Sequence, residues 1–162
     1  MNKKLILREI TNRDSVVLLE WRNDKVTRQN SINSFLVSVN EHEEYIKNTI
    51  NNPHKTQFIL ELNEVPIGTI REDRLEKDEF ELSYTVNPKY RGKKIGQLMM
   101  NLYLINRKGS FLCEIKEGNI PSIKMIEKFG FKFFKQEGGM TFYKLIQSKP
   151  LILSQFYFFL RF

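Results

Sequence analysis

Tyr84-Thr-Val-Asn-Pro-Lys-Tyr-Arg-Gly-Lys-Lys-Ile-Gly96 decides how the rest of this 162-residue chain is read. The stretch joins a strand-like run, Phe80 to Val86, to a helix-like one, Gln97 to Arg107, through a short basic loop. A loop of this kind delivers free backbone N–H groups to the start of a helix, where the dipole favours negative charge. Gly92 and Gly96 let the main chain come close to a phosphate, and Lys89, Arg91, Lys93 and Lys94 surround it with mobile positive charge. The local chemistry predicts a bound phosphate or pyrophosphate.

Outward from the loop, the hydrophobic pattern gives one α+β domain (a mixed α/β arrangement) over 1–147, followed by an apolar tail over 148–162. Lys4 to Arg8 reads as a strand. A helix capped at Thr11 or Asn12 leads to Trp21-Arg22-Asn23, and a loop follows through Gln29, Asn30 and Ser31. A second helix starts near Asn40-Glu41-His42-Glu43 and runs to about Asn51. Thr56 to Leu62 and Val65 to Arg71 form a hairpin at Asn63-Glu64, ahead of the strand that enters the loop. Ser110 to Lys116 is a strand, Ser122 to Phe129 a helix ended by Gly130, and Phe131 to Gln136 with Thr141 to Ile146 a closing hairpin.

Two motifs in this order resemble those of the GNAT acetyltransferase superfamily. Arg91-Gly92-Lys93-Lys94-Ile95-Gly96 matches its acyl-CoA loop, with Lys94 where the family usually has its first glycine. Asn119-Ile-Pro-Ser122, a short helix and Gly130-Phe131 match the segment that closes the family's core. The resemblance spans roughly Leu5 to Leu145. It implies a GNAT-type fold, a central twisted mixed sheet with helices on both faces, splayed into a cleft beside the loop.

The resemblance also implies a chemistry: direct attack of a neutral amine on the thioester of acetyl-CoA. The pyrophosphate is then expected on amides from Arg91, Gly92, Lys93, Lys94, Ile95 and Gly96. The pantetheine runs beside Tyr84, Thr85 and Val86 like an added strand. The Val86 amide faces the thioester oxygen, a placement worth ~3 kcal/mol at a developing oxyanion. Asn119 is either a cofactor contact or a turn residue. Glu81 is the first candidate for general base, with Glu79 and Glu114 as competitors, and each also reads as a solvated strand residue. Many family members carry a tyrosine four residues before the Gly of Gly-Phe. Here Ile126 stands there, so the general acid falls to Tyr143 or water, or the thiolate leaves unassisted, its pKa being near ~8.5.

Leu18-Leu-Glu-Trp-Arg-Asn23 with Arg28 and Ser31 resembles the branch holding sugar-nucleotide and ribosomal-protein N-acetyltransferases. On that basis Arg22 and Arg28 meet nucleotide phosphates, and Trp21 either stacks on the acceptor or packs in the core. The expected acceptor is an amino-sugar nucleotide of the 4-amino-4,6-dideoxy type. A protein amine and a non-catalytic CoA-binding module are the alternatives.

Composition sets the remaining bounds. Apolar residues make up 41% of the chain, enough for a core. The net charge of +7 suits a solvated basic surface or an anionic ligand. Its scatter and the lack of a nucleic-acid motif argue against a nucleic-acid partner. The single cysteine, Cys113, rules out an internal disulfide or a cysteine-based zinc site and reads as a core thiol. No metal is expected. His42 and His54 read as surface residues. With no signal peptide or membrane span legible, a cytoplasmic protein is expected. Leu151 to Phe162 is aromatic and almost uncharged, a segment expected to pack on the domain or on a second copy in a homodimer.

Overall fold

A computed structural model describes residues 4–150. The apolar tail from Leu151 to Phe162 lies outside the described residues. Seven strands form one sheet in the order β1-β2-β3-β4-β5-β7-β6. They are β1 Leu5–Glu9, β2 Lys55–Leu62, β3 Val65–Glu76, β4 Glu79–Val86, β5 Gly109–Lys116, β6 Lys132–Glu137 and β7 Met140–Gln147. All neighbours are antiparallel except β4 and β5, which run parallel. The crossover between those two is α4, Ile95–Leu104. The other helices are α1 Ser15–Asn23, α2 Lys25–Gln29, α3 Val39–Ile50 and α5 Ile120–Glu127.

Register assigns the two sheet faces. Phe58, Ile70, Tyr84 and Val86 share one face with Phe80, Leu82, Phe111, Cys113 and Tyr143. That face packs under α4 and α5, around Met99, Met100, Leu104 and Ile126. Gln57, Ile59, Thr69, Arg71, Ser83 and Thr85 point to the other face. There Ile59 packs with Leu18 and Trp21 of α1 and Ile46 of α3, forming a second, smaller core. Helices on both faces of a mixed sheet agree with the architecture expected from the sequence.

Several boundaries differ from the sequence reading, each for a local reason. α3 begins at Val39, ahead of the Asn40 start read from sequence, because Ser38 caps it: Ser38 and Glu41 exchange side-chain bonds to each other's backbone N–H. α2 was not anticipated. Asp24 breaks the first helix with an extended ψ of 138° and caps the next by accepting from Thr27 N–H at 3.0 Å. α4 starts two residues earlier than the apolar period suggests, because Lys94 takes the left-handed conformation just before it (φ 59°, ψ 17°).

Candidate active site

The loop after β4 is held open by its own side chains. Asn87 accepts from Lys89 N–H at 3.0 Å and donates to the Pro66 carbonyl at 3.0 Å, which fixes the turn through Pro88–Tyr90. Gly92 has φ +75°, a conformation that glycine takes without strain. Lys94 reaches the same left-handed region without being glycine. Gly96 serves a different purpose: a Cβ on it would point towards Val86 and Met125, at 3.5 and 3.9 Å. Its bare Cα leaves that corner open beside the first-turn amides of α4, which have no intrahelical acceptors. Lys89, Lys93 and Lys94 are exposed around it. The residues fit a diphosphate.

β4 pairs with β3 along its whole length, but with β5 only from Glu79 to Leu82. Beyond Leu82 the two parallel strands part. Asn87 N–H bonds the Ile67 carbonyl on the β3 side. Strand alternation therefore turns the Val86 and Tyr84 N–H groups the other way, into the gap left by β5. A cleft of about 1010 Å³ runs through this gap from one sheet face to the other. On the α4 and α5 side its wall includes Val86, Gly96, Asn119, Ser122 and Met125; on the other side it includes Trp21, Arg22, His42, Tyr45 and Arg71.

Most of the residues picked from sequence meet here. Tyr84, Thr85, Val86, Arg91, Gly92, Lys94, Ile95, Gly96 and Asn119 line the cleft; Lys93 does not, and its ammonium sits over the Tyr90 ring at 5.2 Å. Asn119 also caps α5, accepting from Ser122 N–H at 3.4 Å, so the turn role is filled as well. Tyr84 Oη donates to Ser122 Oγ at 3.0 Å, and burial pushes its phenol well above its ordinary value.

The acceptor side differs in part from expectation. Trp21 is 3% exposed within the second core while also lining the cleft, so packing dominates its role. Arg28 does not line the cleft; it donates to the carbonyls of Asn23 (3.1 Å) and Ser34 (3.0 Å). Arg22 does line it. Its Nη2 holds the Asn33 carbonyl at 2.8 Å, while its Nη1 is buried with no partner. Burial, then the nearby Arg28 charge, lower the Arg22 pKa. His42 is not a surface residue: it is 4% exposed, on the inward stripe of α3 with Ile46 and Thr49. Its Nε2 has no partner and its pKa is lowered, first by burial. The i, i+4, i+7 spacing of His42, Ile46 and Thr49 was the legible signal for this. Arg71, Tyr45, Gln57 and Thr69 form a hydrogen-bonded floor, with Arg71 Nη1 to Tyr45 Oη at 3.1 Å and Gln57 Nε2 to Thr69 Oγ1 at 2.9 Å.

Among the proton-transfer candidates, Glu114 lines the cleft. Glu81 sits behind it, outside the lining. Burial raises its pKa most, followed by the charges of Glu114 and Asp73. Glu79 is spent on Lys144 Nζ at 2.7 Å. Tyr143 lies outside the cleft. Its register opposite Cys113 turns it under the α5 face, where its ring meets Phe133 edge-on. Ile126 is fully buried, and so is Cys113, whose thiol pKa burial pushes up.

This splayed, mixed sheet with its amide-rich loop is the architecture of acyl-CoA-dependent N-acyltransferases. The family model for the GNAT acetyltransferase domain matches residues 4–132, and the chain belongs to that family. It is an acetyl-CoA-dependent N-acetyltransferase. No curated protein sequence matches the chain. A solved domain from Methanocaldococcus jannaschii is 25% identical, with TM-score 0.77 over 90% of this chain and 99% of that one. Spermidine N-acetyltransferase from Vibrio cholerae, solved with CoA and spermine, is 18% identical with TM-score 0.77, over 90% of this chain and 96% of that one. A Salmonella typhimurium protein solved with its cofactor acetyl-CoA is 16% identical with TM-score 0.70, over 88% and 93%. Among the described residues no helix is long and apolar enough to cross a membrane, and no group of three or more metal-ligating side chains gathers.

Proposed function

We propose that this enzyme acetylates the primary amine of a small, negatively charged acceptor, of which a nucleotide-linked 4-amino-4,6-dideoxy sugar is the leading example. One observation carries the charge assignment. Arg22 enters the acceptor side of the cleft half-buried, with no ion-pair partner among the described residues and with Nη1 unbonded. A desolvated cation in that state is stabilised by an anion. Arg71 Nε adds a second unpartnered donor to the same wall. A polycation would meet only one lining carboxylate, Glu114, among the described residues.

In this reading the diphosphate of acetyl-CoA lies on the amides from Arg91 to Gly96. The Val86 N–H, turned into the strand gap, polarises the thioester oxygen. The ammonium gives its proton to Glu114, with Glu81 behind it as the second carboxylate of the pair. The amine nitrogen then bonds the carbonyl carbon, the C–S bond breaks, and the second proton leaving the nitrogen passes through water to the departing thiolate. Tyr143 has no part in this reading, since the sheet turns it away.

The test is thiol release from acetyl-CoA with three acceptors: a UDP-linked 4-amino sugar, spermidine and a ribosomal amino-terminal peptide. Turnover of the sugar nucleotide at least tenfold above the other two is expected, with that preference lost in Arg22→Gln. Preference for spermidine or for the peptide would overturn the anionic acceptor, and turnover of none would favour a CoA-binding module.

A further inference from the structure

Arg91 is the first residue of the phosphate-loop motif, yet its guanidinium faces away from the loop. Nη2 donates to Asp24 Oδ2 at 2.6 Å and to Thr27 Oγ1 at 2.8 Å. The same Asp24 oxygen accepts from Thr27 N–H at 3.0 Å and so caps α2. One carboxylate oxygen therefore joins the cofactor loop to the elbow between α1 and α2. Both sides of that elbow face the cleft: Trp21 and Arg22 before it, Val26 and Thr27 after it.

α2 is five residues long, scarcely more than one turn, and has no buried residue. A helix that short does not hold itself; its cap and its external ties decide whether it forms. The tie here is partly shielded, with side chains 32% and 23% exposed at Arg91 and Asp24. Burial works against the Asp24 charge, but the bonds from Arg91 and Thr27 outweigh it and hold the carboxyl below its ordinary range.

We propose that Asp24 is a positioning residue that, through Arg91, transmits occupancy of the cofactor loop to α2 and so to the acceptor end of the cleft. A diphosphate on the loop amides immobilises the backbone that carries Arg91. The ion pair then holds the cap of α2 in place, and the acceptor wall forms around Trp21 and Arg22. Without the pair, the two ends of the cleft bind independently. By reciprocity, an acceptor that needs α2 formed tightens the cofactor by the same factor. This inference rests on the assignment of the loop to acetyl-CoA.

The experiment uses CoA as the probe and Asp24→Asn as the variant. Asparagine keeps an acceptor oxygen for Thr27 N–H and is itself a good helix cap, but it lacks the charge that Arg91 needs. Amide hydrogen exchange across 24–31 is read with and without saturating CoA, beside the emission of Trp21, the only tryptophan. CoA is expected to slow exchange in the wild-type α2 by at least about fivefold, the lower end of ordinary coupling, and to shift the Trp21 emission. In Asp24→Asn, with CoA binding confirmed by calorimetry, both responses should shrink to under about half. Arg91→Gln is expected to behave alike. A full response in Asp24→Asn, or no response in a wild type that binds CoA, overturns the coupling alone. A wild type that does not bind CoA overturns the loop assignment and the coupling with it.

Discussion

The two ends of the cleft are built by different means. At the end proposed for the cofactor the groups on offer are main-chain amides: the gap-facing N–H of Val86 and the first turn of α4, shaped by Gly92, Lys94 and Gly96. At the end proposed for the acceptor the groups on offer are side chains, and the main chain is the thing being held. Asn23 clamps Val37 from both sides, Nδ2 to the carbonyl at 2.8 Å and Oδ1 from the N–H at 2.9 Å, while Arg22 and Arg28 hold the carbonyls of Asn33 and Ser34. Amides arranged by φ and ψ tolerate many side chains, so one phosphate site can persist across diverged sequences. A wall made of particular side chains changes its ligand with each substitution.

The strongest way to break the contrast is Gly96→Glu. A Cβ at that position makes only ordinary contacts with Val86 and Met125, so the free variant should melt within about 1 kcal/mol of wild type. A carboxylate in the corner assigned to the diphosphate should weaken CoA at least a hundredfold and abolish the stabilisation expected from CoA, about 2.7 kcal/mol at a hundred times its Kd. Calorimetry and thermal melts check this; retained binding would mean that the cleft takes its anion elsewhere.

Next in size is Asn23→Ala, which leaves both polar groups of Val37 unpaired. The cost expected is about 1–3 kcal/mol, concentrated in 31–37 and visible as faster amide exchange there. KM for the amine turned over should rise while the CoA Kd stays within about twofold, since only the side-chain-built end is disturbed.

Lys94→Gly separates shape from charge within the loop. Relieving a non-glycine residue at φ 59° should stabilise the protein by about 1 kcal/mol in a denaturant melt. The same change removes one cation near the diphosphate, so CoA binding should become less sensitive to salt.

The smallest effect is expected at Glu81. Its pKa is raised in the fold, so the folded state holds its proton to higher pH than the unfolded chain does. Its stability cost is therefore absent below the ordinary carboxylate pKa and grows as pH rises through the raised value. Glu81→Gln should melt higher than wild type at pH 7.5 and no higher at pH 4. The carboxyl is only half-buried, so solvent screening keeps the gain under about 1 kcal/mol.

How much of this was legible in the sequence follows the same division. The placing of Val86, Gly92 and Gly96 on one loop beside the cleft was readable because strand, glycines and helix follow one another in chain order. The hairpin at Asn63-Glu64 was readable too, both residues taking positive φ, 50° and 67°, as such a turn requires. Arg28 and Tyr143 were not, because a side chain's target depends on register and helix phase, and residue type alone leaves both open. Arg28 went to backbone carbonyls, and Tyr143 was carried under α5 by its pairing with Cys113. His42 reads as a surface residue from its place near a helix start, yet its spacing to Ile46 and Thr49 sets it on the inward stripe. α2 was missed because Asp24 both ends one helix and starts the next within a single residue.

The four-residue seam between β4 and β5 has one more consequence. Past Leu82 the sheet is unzipped, with β1 to β4 on one bank and β5, β7 and β6 on the other. A pantetheine arm laid along Tyr84 to Val86 would be the stitching that the polypeptide leaves out. The donor of the acetyl group would then double as a removable part of the scaffold, set in place before each reaction and withdrawn as free CoA after it.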